Sequence, residues 1–156
     1  MNNNGYYTQP DPPMKWHKFL IYFSLWAGAL FTFLSGVSYL TGRQYDGNAD
    51  QVYSVFSGLK TVDMIFGIIY IAIAIFMIYV RFQLAGFKRG APGKLISLYV
   101  IQLVALFAYT LVASVTIHIP WSEIFNFSII PSLIVSIVMI FVNRYYYSKR
   151  AHLFVN

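Results

Sequence analysis

Asp63 and Lys60 are the first residues in this chain whose types and spacing could do chemistry. Asp63 is the only ion inside a long apolar run, residues 61–80, and it sits near the start of that run. Lys60 precedes it by three positions, which puts both on one face of a helix. An ion within an apolar helix points to ion or proton passage. Near the end of such a helix the two charges can also be hydrated, and a structural ion pair then accounts for both. The pair is the reading adopted here, with passage as its alternative. His118 and Glu123 lie in the connector after the third apolar run, on the same side as Asp63. With Asp46 or Asp50 they would supply nitrogen and oxygen ligands for a metal, although their spacing matches no ligand motif. There is no Ser–His–Asp arrangement, H-E-x-x-H sequence or paired carboxylate at mid-run, so no catalytic residue, cofactor site or metal site is assigned and the chain is read as a non-enzyme.

Residues 86–94, "GFKRGAPGK", resemble a phosphate-cradling loop at first sight. A loop of the G-x4-G-K-[ST] type needs glycine where Lys88 stands, and a hydroxyl where Leu95 stands. The segment is therefore read as a turn, reversed by Gly90, Pro92 and Gly93. Its cations Lys88, Arg89 and Lys94 would sit at anionic lipid headgroups, and so would Lys149 and Arg150 near the C-terminus.

The elements that must position these residues follow from composition. The 156 residues are 58% hydrophobic and 10% charged, against about 25% charged in soluble domains. Four apolar runs, residues 19–40, 61–80, 95–117 and 124–143, each match the roughly 20 helical residues that cross a hydrocarbon core of about 30 Å. Backbone groups in lipid must be satisfied within the segment, which selects helices. The expected fold is all-α: a polytopic membrane protein with an antiparallel bundle of four transmembrane helices. Residues 1–14 read as a disordered tail, 15–147 as the helical domain and 148–156 as a basic tail. Cysteine is absent, which excludes disulfides and thiolate metal sites.

Nine of the 11 lysines and arginines flank the termini and the second connector, and only Arg43 and Lys60 lie on the other side. The positive-inside rule then places both termini in the cytoplasm. Trp16 and Trp121 fall at span boundaries, and Tyr145, Tyr146 and Tyr147 form an aromatic belt before "SKRAHLF". Those same residues make a nucleic-acid patch unnecessary. His17 and His152 are expected to snorkel at the inner boundary. On the outer side, Val52, Val55, Phe56 and Leu59 share a helical face, so residues 50–60 should form a short helix with Asp50 as N-cap and Gly58 as its stop.

At mid-depth the sequence offers packing. Ser24, Gly28, Thr32 and Gly36 recur every fourth residue in the first span, and Ser128, Ser132 and Ser136 do so in the fourth. Such stripes let helices approach closely. Gln102 and Ser136 fall at similar depth and are expected to face each other or share a partner. Pro131 should bend the fourth span and free a carbonyl near Phe127; a hinge there is the functional alternative.

The stretches "PPMKWHKFLIYF", "VYSVFSGLK", "RFQLAGFKRG" and "YYYSKRAHLFVN" together resemble a group of small uncharacterised membrane proteins of anaerobic Gram-positive bacteria. The resemblance runs from Pro12 onward and implies a bacterial cytoplasmic membrane. Some members of that group carry an N-terminal zinc ribbon, which a chain without cysteine lacks. No activity is carried over. The function expected is that of an interaction or regulatory subunit, whose partners are the bilayer, its anionic headgroups, and another membrane protein or a second copy. An oligomeric channel lined by Asp63, Gln102, Thr110 or the serine row is the alternative.

Overall fold

A computed structural model describes residues 13–120, 123 and 129–156. Most of the expected N-terminal tail, Trp121, Phe127, Ser128 and the expected start of the fourth span lie outside these residues. Those described form helices and turns, with no strand among them. The first long helix runs Lys15–Thr41, as α1 (Lys15–Phe19), a π-helical turn (Leu20–Ser24) and α2 (Leu25–Thr41). A 3-10 turn (Arg43–Tyr45) and a short helix, α3 (Ala49–Val55), lead into α4 (Ser57–Ala85). Then come α5 (Ala91–Ile117), α6 (Ile129–Ser148) and a last 3-10 turn (Ala151–Leu153).

Among the described residues, four helices are thus long and apolar enough to cross a membrane. The first three outrun their apolar runs because polar ends such as Ser57, Lys60 and Arg81 continue the helical hydrogen bonding. The described part of the fourth, 129–148, runs past the expected end at residue 143. The apolar run stops before the first charge, Arg144, yet a helix end needs a backbone break, and that comes only after Ser148.

The helix expected over 50–60 is shorter. Phe56, at φ −117° and ψ 74°, ends α3, and α4 starts at the next residue. Gly58 is therefore inside the first turn of α4 and stops nothing. Asp50 lies in the first turn of α3, and Asn48 is the N-cap. The basic turn also shifts: Phe87 and Gly90 carry its positive φ values of 49° and 81°, while Pro92 and Gly93 already belong to α5.

Each long helix packs on the next in sequence. The seam between the first helix and α4 is built on small residues. A Cβ on Gly36 would stand 2.8 Å from the Gly67 carbonyl oxygen, and one on Gly67 would stand 2.9 Å from that of Gly36. The two backbones can approach only because neither position carries a side chain. One step along, Gly28 makes room for the Met77 methyl, and Thr32 donates to the Met77 sulfur at 3.6 Å. The stripe anticipated at Gly28, Thr32 and Gly36 thus lies on the α4 contact.

Gln102 and Ser136 do not meet. Gln102 Nε2 donates to Met77 Sδ at 3.7 Å, and Ser136 Oγ donates to the Ser132 carbonyl at 2.8 Å. A helical serine can satisfy itself on its own preceding turn, which removes the demand for an interhelical partner. Pro131 and Ser132 are exposed on α6.

Replacing Gly36 by valine is expected to destabilise the purified protein by about 1–3 kcal/mol, because the neighbouring atom is backbone and cannot rotate away. Gly93 has open space where a Cβ would go. Its replacement by alanine should be neutral or stabilising by up to about 1 kcal/mol. Thermal unfolding in one detergent checks both.

Candidate functional site

Asp63 is fully buried one and a half turns into α4. Both carboxyl oxygens act as acceptors. Gln44 Nε2 and the Tyr45 hydroxyl each donate to Oδ2 at 2.8 Å, and the Tyr53 hydroxyl does so at 3.0 Å. The Tyr109 hydroxyl donates to Oδ1 at 3.0 Å. These donors come from three elements: the 3-10 turn, α3 and α5. Local sequence explains their arrival. Gly42, in the left-handed region at φ 70°, ends α2 and turns the chain back. Gln44 and Tyr45 then follow directly over the end of α4.

The expected partner is not used. Lys60 is exposed, and the four groups on Asp63 are all uncharged. Three residues along a helix do share a face, but a lysine at the helix end gains more from water than from a buried oxygen already ringed by phenols. Sequence reasoning missed Gln44, Tyr45, Tyr53 and Tyr109. The available signal was the presence of two tyrosines in the same short connector beside the one buried acid.

Rings fill the space around the carboxyl. Tyr45 and Tyr53 meet edge to face at 5.5 Å, and Tyr109 meets Tyr39 at 4.8 Å and Phe66 at 5.3 Å. Tyr39 in turn stacks on Tyr70 at 5.3 Å. Edge-to-face geometry is favourable, and it holds each phenol in the orientation its hydroxyl needs. Gln44 Oε1 is buried without a partner. Burial lifts the Tyr45 hydroxyl from its usual 10.0 to about 12, and its bond to Asp63 acts the same way. Burial, then the bond to Asp63, also raises Tyr53.

The other anticipated site residues stay apart. His118 ends α5 in the left-handed region at φ 56° and is exposed. Among the described residues, no three His, Asp or Glu side chains could hold a metal ion. Thr110 is buried and donates to the Leu106 carbonyl of its own helix at 2.9 Å.

A second polar cluster closes the opposite end. His17 does not snorkel; it is 1% exposed, with Nδ1 at 3.0 Å from the Tyr147 hydroxyl. Phe87, Tyr147 and Phe154 rings surround it. Trp16 Nε1 donates to Asn143 Oδ1 at 3.0 Å, and Asn143 Nδ2 donates to the Met139 carbonyl at 2.7 Å. Tyr147 and Phe154 are therefore core residues, whereas Tyr145 remains exposed. Nor is 148–156 a free tail. Arg89 N donates to the Asn156 carbonyl at 2.6 Å, and Asn156 Nδ2 donates to the Gly86 carbonyl at 3.2 Å. Lys88, Arg89 and Lys149 are exposed. Lys94 is engaged by Tyr79 and Gln83, and Arg150 stacks on Tyr146 at 3.8 Å.

Comparison of the chain with protein-family models, curated proteins and solved structures gave no match.

Replacing Asp63 by leucine leaves four donors facing an apolar group. It is expected to cost at least about 1–3 kcal/mol and to expose residues 42–56 to proteolysis, whereas Lys60→Gln should stay within about 0.5 kcal/mol of wild type. Thermal unfolding and limited proteolysis distinguish the two outcomes.

The tyrosine shift predicts a pH window. A phenol that ionises later in the folded chain favours the fold fully below the ordinary pKa of 10.0, and that contribution is lost as pH rises towards about 12. Tyrosinate absorbance of wild type minus Tyr45→Phe should show this late ionisation.

Proposed function

We propose that this chain is a non-catalytic membrane subunit that works through helix–helix contact. Its four long helices cross a bacterial cytoplasmic membrane as an antiparallel bundle, with both termini in the cytoplasm. The fourth helix packs against a partner membrane protein or a second copy of the chain. Support for the orientation comes from cation placement: nine of 11 lie at the end where Pro13 and Met14 meet Arg150 and Tyr146. The resemblance to small membrane proteins of anaerobic Gram-positive bacteria suggests the type of membrane.

One observation carries the interaction reading. Only 6% of the most apolar window of α6 is buried, against 28, 33 and 22% for the other three long helices. Its buried residues, Asn143 and Tyr147, are both near its C-terminal end. The uncovered remainder includes Ser132 and Pro131 among large apolar side chains. A small residue on such a surface allows another helix to approach, which lipid chains do not require.

The permeation alternative draws less support. It needs polar side chains turned to one wet path. Asp63 is ringed by four donors, Gln102 is on Met77, and Thr110 and Ser136 are on their own helices.

Photo-crosslinking amino acids at Ile134 and Val138 of α6, with Ile68 of α4 as an exposed control, test the proposal in native membranes. A protein adduct of defined mass from α6 but not from position 68 is expected, and its mass separates a second copy from another protein. Lipid adducts alone at all three positions would overturn the interaction reading.

A further inference from the structure

Beside the His17 cluster lies a cleft of about 470 Å³, lined among others by Met14, His17, Lys18, Tyr22, Arg81 and Phe87. Among the described residues, no carboxylate lines it. Its most ordered cation is Arg81. The wider π-helical turn at Leu20–Ser24 presents the Ile21 carbonyl, which accepts from Arg81 Nε at 3.0 Å. The guanidinium also lies over the rings of Trp26, at 5.3 Å, and Phe82, at 4.7 Å. Its inner edge is thus fixed to the backbone and its face to aromatic rings. The two Nη groups keep their donors, and no hydrogen-bond partner for them falls among the described residues. A guanidinium held in this way is a preorganised fork for two oxygens of a tetrahedral anion. π-turns inside helices recur at functional sites.

Three more groups suit the same ligand. Lys18 is exposed one turn before Tyr22, whose side chain is 69% exposed. His17 is almost fully buried, and its Nε2 has no hydrogen-bond partner. Tyr147, on Nδ1, does not line the cleft, whereas His17 does. In the tautomer whose Nδ1 accepts from the Tyr147 hydroxyl, Nε2 carries the ring proton and is itself a donor. A buried donor without an acceptor is costly, and an anion in the cleft would supply one.

From this arrangement we infer that the cleft is a binding site for a phosphate group, gripped by Arg81 and Lys18, with Tyr22 at its mouth and His17 at its base. A phospholipid headgroup and a soluble phosphate share this chemistry. The headgroup source rests on the membrane reading above, which puts the cleft at the level of the cytoplasmic headgroups. It differs from a general attraction of surface lysines because the fork is oriented and all four residues line one cleft.

The full chain is tested in nanodiscs of phosphatidylcholine with and without phosphatidylglycerol, and separately in neutral detergent with inorganic phosphate. Native mass spectrometry reads retained lipid, and tryptophan fluorescence reads phosphate, since Trp26 touches Arg81. Wild type should retain phosphatidylglycerol preferentially. Lys18→Gln and Arg81→Lys should each weaken retention roughly tenfold, and the exposed pair Lys88→Gln with Arg89→Gln should leave it unchanged. Lys18 is exposed, so its variant keeps the fold even if Arg81→Lys loosens the π-turn. A saturable response to inorganic phosphate, lost in Arg81→Lys, would show that the phosphate group suffices. Retention without that response would assign the lipid headgroup. Equal losses in the Lys88/Arg89 variant, or a folded wild type indifferent to both probes, would overturn the site. Failure of the membrane reading looks different: the chain would stay dispersed without detergent and would not enter nanodiscs.

Discussion

A carboxyl group with no exposed surface has to find its donors within the chain, and the end of the molecule around Asp63 is organised by that need. Gln44 and Tyr45 can reach the oxygens only if α2 stops at Gly42 and the chain folds back at once. Tyr53 can reach only if α3 lies close above α4. Tyr109 ties α5 to the same point. One acceptor therefore fixes a connector, a short helix and two long helices. In a low-dielectric setting each of these bonds is stronger than in water, and the loss of any one leaves a costly orphan.

The opposite end uses different means for the same purpose. Leu20, Leu84, Leu95 and Leu98 are fully buried there and join Tyr147 and Phe154 in one apolar core. Polar side chains that enter this core pair with one another, Trp16 with Asn143 and His17 through Nδ1 with Tyr147. The C-terminal residues complete it by bonding back to the basic turn at Gly86 and Arg89. Between the two ends, the seam of Gly36 on Gly67 brings backbones together with no polar side chain. Ends that are locked and a middle that is closely packed make a rigid unit, which suits a subunit that acts by contact.

That rigidity bears on function through what is left over. Among the described residues of the long helices, Asp63, Gln102, Thr110 and Ser136 all bond within the chain. The residual features are an uncovered fourth helix and a basic cleft beside the first. Our proposals use one each: the helix for a protein partner, the cleft for phosphate. They are physically separable, because the uncovered part of α6 precedes Asn143, whereas the cleft is built from the start of the first helix and the end of α4.

The sequence alone determined the helical class, the number of long helices and the clustering of basic residues at one end. Apolar run length, backbone hydrogen bonding and charge placement are all properties of consecutive residues, and they survive without knowledge of neighbours. The small-residue stripe at Gly28 and Gly36 was legible for the same reason. Tertiary structure decided what each polar group binds. Lys60 is near Asp63 in sequence, yet Tyr109, 46 residues away, is among the four that hold it. His17 looked like a boundary residue until Tyr147, 130 positions later, covered it. A helical repeat states which face a side chain occupies; it does not state which distant ring will reach that face first, and for buried hydrogen bonds that competition is settled by packing.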